Sequence, residues 1–338
     1  MSSTSAVVVG AGGISRAWFG PLKEECVDVR AVVDLNVENA KGRIAEFELD
    51  AEASDDLQAT LEKHQPDFVV DLTVPEAHCQ VTCTALEAGC HVIGEKPMAA
   101  SMAQARQMVR IAEKTGKLYM VSQSRRWNQT HKRIAKAVAG GALGDLTVAN
   151  CEFYIGAHFG GFRAEMESPL ILDMAIHHFD LARMFTAADP VSVYAHEFNP
   201  KGSWYDGDVA ATCIFEMSDG LVFTYVGSWC AEGCNTSWEG DWRLIGTDGS
   251  LRYAGGAEPV AEKPVGSDGL IWKTEPIEIP AADLPRPTMH GALLEMLAYL
   301  ETGKVPQTEC HDNIQSLAMV FAAMESSRAG RKVAIEAI

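Results

Sequence analysis

The sequence predicts an α/β chain: a doubly wound parallel sheet on the N-terminal side, followed by an α+β domain with a mainly antiparallel open sheet. Three observations predict it. Short aliphatic runs alternate with helical patterns through the first ~120 residues, as buried parallel strands alternate with crossover helices. A glycine turn follows the first of these runs, and an acid closes the second. Beyond Asn128 the texture changes to sequential strand-like segments joined by turns such as Ser218-Asp219-Gly220 and Thr247-Asp248-Gly249. A chain of 338 residues exceeds the usual size of one core. We therefore expect two domains, 1–125 for dinucleotide binding and 126–338 for substrate binding and oligomerisation.

The first run, Val7-Val8-Val9, reads as a buried strand, and Gly10-Ala11-Gly12-Gly13-Ile14-Ser15 as the turn into a helix. Glycines there let the backbone turn sharply and approach a pyrophosphate, whose charge the helix N-terminus stabilises. A tight turn without a nucleotide is the plainer alternative. The run 29–33, interrupted by Arg30, ends at Asp34, placed to accept hydrogen bonds from a ribose diol. Gly10, Gly12, Gly13, Ile14 and Asp34 are thus candidate cofactor residues, with Ser15 standing where a third small residue packs the helix on the strand. A carboxylate at position 34 repels a 2'-phosphate, and Leu35 and Asn36 supply no cation. NAD is favoured over NADP, although Lys41 or Arg43 could supply a cation.

Further helices are expected at Val37–Phe47 and from Asp55 to near His64, with a buried strand at 68–72. Thr73, Pro75 and His78 follow it at the carboxyl edge, where open α/β sheets bind ligands. Pro75 opens a helix that Gly89 closes. A short strand, 91–94, delivers Glu95-Lys96-Pro97 to the same edge, where a lysine can stabilise a developing alkoxide. Ser101 and Gln104 cap a helix that Gly116 ends, and 118–121 is the last strand of what reads as a Rossmann domain. Arg126, beside Arg125 and Trp127, is a candidate substrate residue and could equally form a structural salt bridge.

In the second half, a helix runs to about Ala139, and strands are expected at 146–155, 191–197, 209–217, 221–229 and 242–245. Residues 255–269 read as a loop rich in glycine and proline. Helices are expected at Thr288–Thr302 and from Glu309 to about Ser327. The helix begun by Ser168-Pro169 carries Asp173, His177 and Asp180 on one face, a polar line on an otherwise apolar helix. His177 could accept a proton while Asp173 orients its ring or holds a substrate hydroxyl. A satisfied structural Asp–His pair is the alternative. His178 lies about 100° away and is expected to pack or cap locally. The loop with Trp204, Tyr205 and Asp206 could cover a polyol or simply pack.

A net charge of −18 argues against recruiting nucleic acid. Nine cysteines lack the paired spacing of a zinc module, and no metal is expected at the Asp/His cluster. No apolar stretch is long enough to span a membrane, and the few residues before the first strand are too short for a signal peptide. A cytoplasmic protein is expected.

Taken together, these motifs resemble the glucose-fructose oxidoreductase / inositol dehydrogenase (Gfo/Idh/MocA) family over nearly the whole chain. The likeness rests on the glycine turn, Asp34, Thr73-Val74-Pro75 with His78, Glu95-Lys96-Pro97 and the Asp173/His177/Asp180 helix. The late Asp312-Asn313, Glu325-Ser326-Ser327 and Gly330-Arg331 add to it. The resemblance implies hydride transfer between nicotinamide and a secondary hydroxyl of a sugar, sugar derivative or inositol. It implies Lys96, Asp173 and His177 as catalytic residues and a C-terminal open sheet that often builds a homodimer or homotetramer. Ala175 departs from the family's usual glycine. Two relatives' activities are the rival readings: NAD-dependent glycoside cleavage, and a sugar- or nucleotide-sensing regulator without turnover.

Overall fold

Strand β1 (Ser5–Val9) is buried at every residue, the condition of an aliphatic run covered on both faces. It sits mid-sheet with β2 (Asp28–Val33), β3 (Glu52–Ser54), β4 (Phe68–Asp71), β5 (His91–Glu95) and β6 (Tyr119–Ser122), in the order β3-β2-β1-β4-β5-β6. All five pairings are parallel, and Val8 lies in register with both Val32 and Val70. The order reverses between β1 and β4, which opens a crevice at the carboxyl ends of these strands. The Ser101 cap forms as expected, accepting from the Gln104 amide ahead of Met102–Thr115, while Asn36 caps Val37–Phe47 and Asp56, one residue beyond the expected Asp55, caps Leu57–His64.

The structure is a computed structural model that describes residues 4–336; residues 1–3 and 337–338, the outer ends of the two expected domains, lie outside the described residues. The chain divides into two compact units, one of Met1–Trp127 with Pro285–Ile314 and one of Asn128–Leu284 with Gln315–Ile338. A linear boundary near 125 does not convey the return of 285–314 to the first unit. That return is tied by His290 Nε2 to Glu25 Oε1 (2.6 Å), by the Trp127 indole donating to Glu295 (2.9 Å), and by the Val121 amide donating to the Thr308 carbonyl.

The second unit is built on β7 (Leu146–Tyr154), β8 (Pro190–Phe198), β9 (Ala210–Met217), β10 (Val222–Ser228), β11 (Asp241–Gly246), β12 (Ser250–Ala254), β13 (Val260–Val265), β14 (Lys273–Ile277) and β15 (Val333–Ala334). Their order is β14-β13-β12-β11-β7-β10-β9-β8-β15, antiparallel throughout except for β7 against β10. Side chains alternate: Val193, Ala195, Cys213, Phe215, Phe223 and Tyr225 are buried, while Tyr194, Phe198 and Ile214 on the other face are exposed. The glycine- and proline-rich stretch read as a loop holds β13, and β12, β14 and β15 also went unforeseen. Strand β14 is the sheet edge and β13 lies next to it; both bury few residues, so they lack the apolar alternation that marks a strand, and Pro264 falls beyond the β12 pairing, which ends at Glu262.

Gly10 fixes the crevice. Its φ is +97°, and a Cβ there would lie 2.7 Å from the Leu72 carbonyl group, whereas at Gly12 a Cβ would meet nothing within 4 Å. Gly10→Ala should therefore destabilise the fold by about 1–3 kcal/mol in urea unfolding, and Gly12→Ala by less than ~1 kcal/mol. Equal losses would show that the turn is not sterically set.

Candidate active site

At the carboxyl edge of the parallel sheet, Gly13–Ser15 form a single helical turn that leads into the helix Arg16–Glu24. Ser15 is buried and donates its hydroxyl to the Gly12 carbonyl (2.7 Å), so the serine closes the turn itself. Asp34 reaches the turn from the end of β2. One carboxylate oxygen accepts from the Ala11 amide (2.8 Å), and the other from the Asn36 amide (2.9 Å) and the Asn39 side chain (3.2 Å). An aimed carboxylate beside open backbone at Gly12 and Gly13 fits an adenosine ribose and pyrophosphate. Of the two basic candidates, Lys41 pairs with Glu38, whereas Arg43 reaches the glycine turn, binding Ser15 and the Gly12 carbonyl as well as Glu46.

The next loop is organised by Asp71, fully buried at the end of β4, a residue not singled out from the sequence. Its carboxylate accepts from the Thr73 amide (3.1 Å), the Thr73 hydroxyl (2.6 Å) and the Thr82 hydroxyl (3.1 Å), and lies 3.0 Å from His78 Nδ1. Thr73 and His78 are thereby fixed on either side of Pro75. Burial disfavours the charged imidazole of His78, but Asp71 outweighs it and holds His78 above the usual histidine range. An acid closing an aliphatic run was the available signal, because a carboxylate there requires partners.

Glu95 ends β5 buried, accepting from the Trp18 indole (2.9 Å), and burial pushes its carboxyl above the usual range. Lys96 follows, partly exposed, with a cis bond to Pro97. Arg126 is buried within the same unit, where it donates to the Gln307 carbonyl (3.0 Å) and pairs with Asp312 (2.9 Å).

The second unit presents its own group. The segment carrying Asp173 departs from the expected α-helix: Leu170–Ala175 is a π-turn, and α-helix begins only at Ile176. Such turns recur at functional sites because they rotate side chains off the α-helical face. Nor does a side chain cap this segment, whose N-cap position is Pro169 rather than Ser168. Asp173 and His177 are both partly exposed, but Asp180 is buried and accepts from the Ser316 hydroxyl (2.8 Å), a packing role. His178 is buried among Phe153 and Tyr225 with Nε2 3.3 Å from the Trp238 carbonyl, so it packs as expected. Trp204 and Tyr205 both bind the Ala157 carbonyl, which satisfies the packing alternative for that loop.

One partner of Asp173 was missed. Arg163 donates from Nε to Asp173 Oδ2 at 2.5 Å, from a short turn whose sequence has no period to reveal it.

Fold, glycine turn and aimed acid define a dinucleotide-binding architecture. The chain belongs to the Gfo/Idh/MocA oxidoreductases: residues 4–123 match the oxidoreductase family's NAD-binding Rossmann fold, and residues 131–252 match the GFO/IDH/MocA C-terminal domain. Its cofactor is NAD. The D-apiose dehydrogenase of Paraburkholderia graminis is 27% identical, over 84% of this chain and 76% of its own length. The 1,5-anhydro-D-fructose reductase of Ensifer adhaerens is 24% identical over 97% and 98%. An oxidoreductase from Agrobacterium radiobacter, solved with NAD+, L-tartaric acid and magnesium, shares the fold with a TM-score of 0.86 at 23% identity over 99% of both chains. Among the described residues no helix is long and apolar enough to cross a membrane.

Glu197, a buried inward-facing residue of β8, supplies a test of this unit. Burial pushes its carboxyl to about 7. An unfolded glutamate titrates near ~4.3, so between the two values the folded chain holds the extra proton and stability falls as pH rises. Glu197→Gln should flatten that decline, measured as the urea midpoint from about pH 4 to 7.5. Identical slopes in both proteins would contradict the burial of an ionising carboxylate.

Proposed function

We propose that the protein is an NAD-dependent dehydrogenase of a secondary hydroxyl on a sugar, sugar derivative or inositol. The single observation that carries the choice is the coexistence of an aimed ribose acceptor, Asp34, with Lys96, Asp173 and His177 in a family of oxidoreductases. Gly10, Gly12, Gly13, Ile14, Asp34, Thr73, Pro75, His78, Glu95 and Lys96 would hold the cofactor, which supplies a two-electron acceptor for the carbinol hydride. His177 takes the hydroxyl proton, since a neutral imidazole is a competent base near neutral pH. Lys96 stabilises the oxygen as negative charge develops on it. Asp173 holds the neighbouring hydroxyl, and Arg126 borders the substrate. The relatives' names, D-apiose dehydrogenase and 1,5-anhydro-D-fructose reductase, support a carbohydrate substrate.

Lys96→Met should lose most of the turnover in a screen of aldoses, uronates, amino sugars and inositols while still binding NADH, followed by nicotinamide fluorescence. Wild-type rates in that variant would sink the assignment. NAD bound through purification with no net reduction would favour glycoside cleavage. Nucleotide binding without turnover would favour a sensor.

The same reading makes the protein a cytoplasmic homodimer or homotetramer. Support for assembly comes from the outer face of the nine-stranded sheet, where Tyr194, Phe198 and Ile214 are 42–47% exposed on neighbouring strands. Light scattering should give two or four times the chain mass, and Ile214→Lys should shift it toward one. A wild-type monomer would remove this part of the proposal.

A further inference from the structure

The segment between β7 and the π-turn carries a cation whose setting the dehydrogenase reading leaves unused. Gly160 and Gly161 both have φ near +60° and reverse the chain. Phe159 and Phe162 flank the reversal, with their ring centres 5.1 Å and 4.7 Å from the Arg163 guanidinium carbon. Arg163 is thus held by two aromatic contacts and by its Nε bond to Asp173. Its two terminal amino groups, Nη1 and Nη2, make no hydrogen bond among the described residues, and the side chain is one-third exposed. Asp173 itself is much less exposed, at 15%.

A guanidinium anchored through Nε presents the other two nitrogens as a planar fork, and that fork matches the two oxygens of a carboxylate. Building one costs side-chain entropy and partial desolvation of a charge. An exposed structural salt bridge returns little of that cost, whereas a fork pre-set by two rings and a carboxylate is organised for a ligand. Local charge selects the ligand's valence. Arg163 already compensates Asp173, Glu165 follows on the same segment, Glu167 is paired with Arg328 (2.9 Å), and the chain carries −18 overall. A monoanion can be accommodated by one guanidinium here, but the dianion of a phosphate monoester would stand uncompensated beside Asp173.

We propose that Arg163 is the receptor for a carboxylate on the substrate, so that the enzyme acts on a sugar acid, a uronate or aldonate, rather than on a neutral sugar. This rests on the dehydrogenase reading in one respect, that Asp173 lies against the substrate. Bound this way, the acid group is fixed through Arg163 to the side chain that holds the reacting end of the molecule, which orients the substrate as well as binding it.

The test compares kcat/KM for D-glucuronate with D-glucose, and D-galacturonate with D-galactose, in the wild type, Arg163→Met and Arg163→Lys, with glucose 6-phosphate as the dianion arm. The wild type should prefer a uronate to its neutral partner. Arg163→Met should lower that preference on the order of 10- to 100-fold, chiefly through KM, and Arg163→Lys should recover part of it. Equal losses on acid and neutral sugar would overturn the proposal and make Arg163 a positioning residue for Asp173. Preference for the neutral sugar or for the phosphate would overturn it too. Saturation-transfer NMR of glucuronate with the NAD-loaded protein gives a second readout. If no sugar is turned over, the dehydrogenase reading fails, and glucuronate binding by the wild type but not by Arg163→Met would still uphold the receptor; identical binding would reject it.

Discussion

Gly10 is held where no side chain can go. Its amide donates to the Val33 carbonyl at 2.7 Å, the Leu72 amide donates to the Val9 carbonyl at 2.8 Å, and a Cβ on Gly10 would press on the Leu72 carbonyl group. The chain leaving β1 is therefore squeezed between the ends of β2 and β4. Three consequences follow from that contact. The strand order reverses beside it, the backbone at Gly12 and Gly13 is left facing open space, and Asp34 at the end of β2 comes close enough to accept from Ala11. A dinucleotide site is what such a crevice, exposed amides and an acceptor carboxylate are able to make.

The second unit solves a different problem, exposing a few polar groups on an otherwise apolar helix. Burial runs through Ile171, Met174, Ala175, Ile176 and Phe179, and the π-turn brings Asp173 and His177 to partial exposure without breaking that packing. Asp180, one turn on, is buried and satisfied by Ser316. Similar residue types on one helix thus divide into packing and accessible roles according to depth, and depth is set by the sheet beneath. Arg163 compensates the accessible carboxylate from outside the helix.

Much of this is legible in the sequence. Aliphatic runs, the glycine turn, Ser101 and Gly116 carry local physics strong enough to place five strands of the parallel sheet and its helices, but not the short edge strand β3, which has no aliphatic run. The same local rules were silent where tertiary contact decides. Strands β13 and β14, at and next to the sheet edge, bury too little to show a period. A π-turn has the composition of an α-helix, so the expected Asp173/His177/Asp180 line proved only partly exposed. Residues 285–314 join the first unit through Trp127, Glu295 and His290, and no composition shift announces such a return. Asp71 was readable as an acid in a strand and was overlooked. Arg163 was not readable, because its significance lies in Asp173, Phe159 and Phe162 meeting around it.

The most direct check of the central claim is a titration of the purified protein with NADH and with NADPH, followed by nicotinamide fluorescence. Asp34 placed against the glycine turn predicts that NADH binds more tightly by on the order of tenfold or more, since a carboxylate and a phosphate in contact repel by ~1 kcal/mol or above per charge pair. Equal affinities, or tighter binding of NADPH, would contradict the assignment of Asp34 as the ribose acceptor and the site built around Gly10.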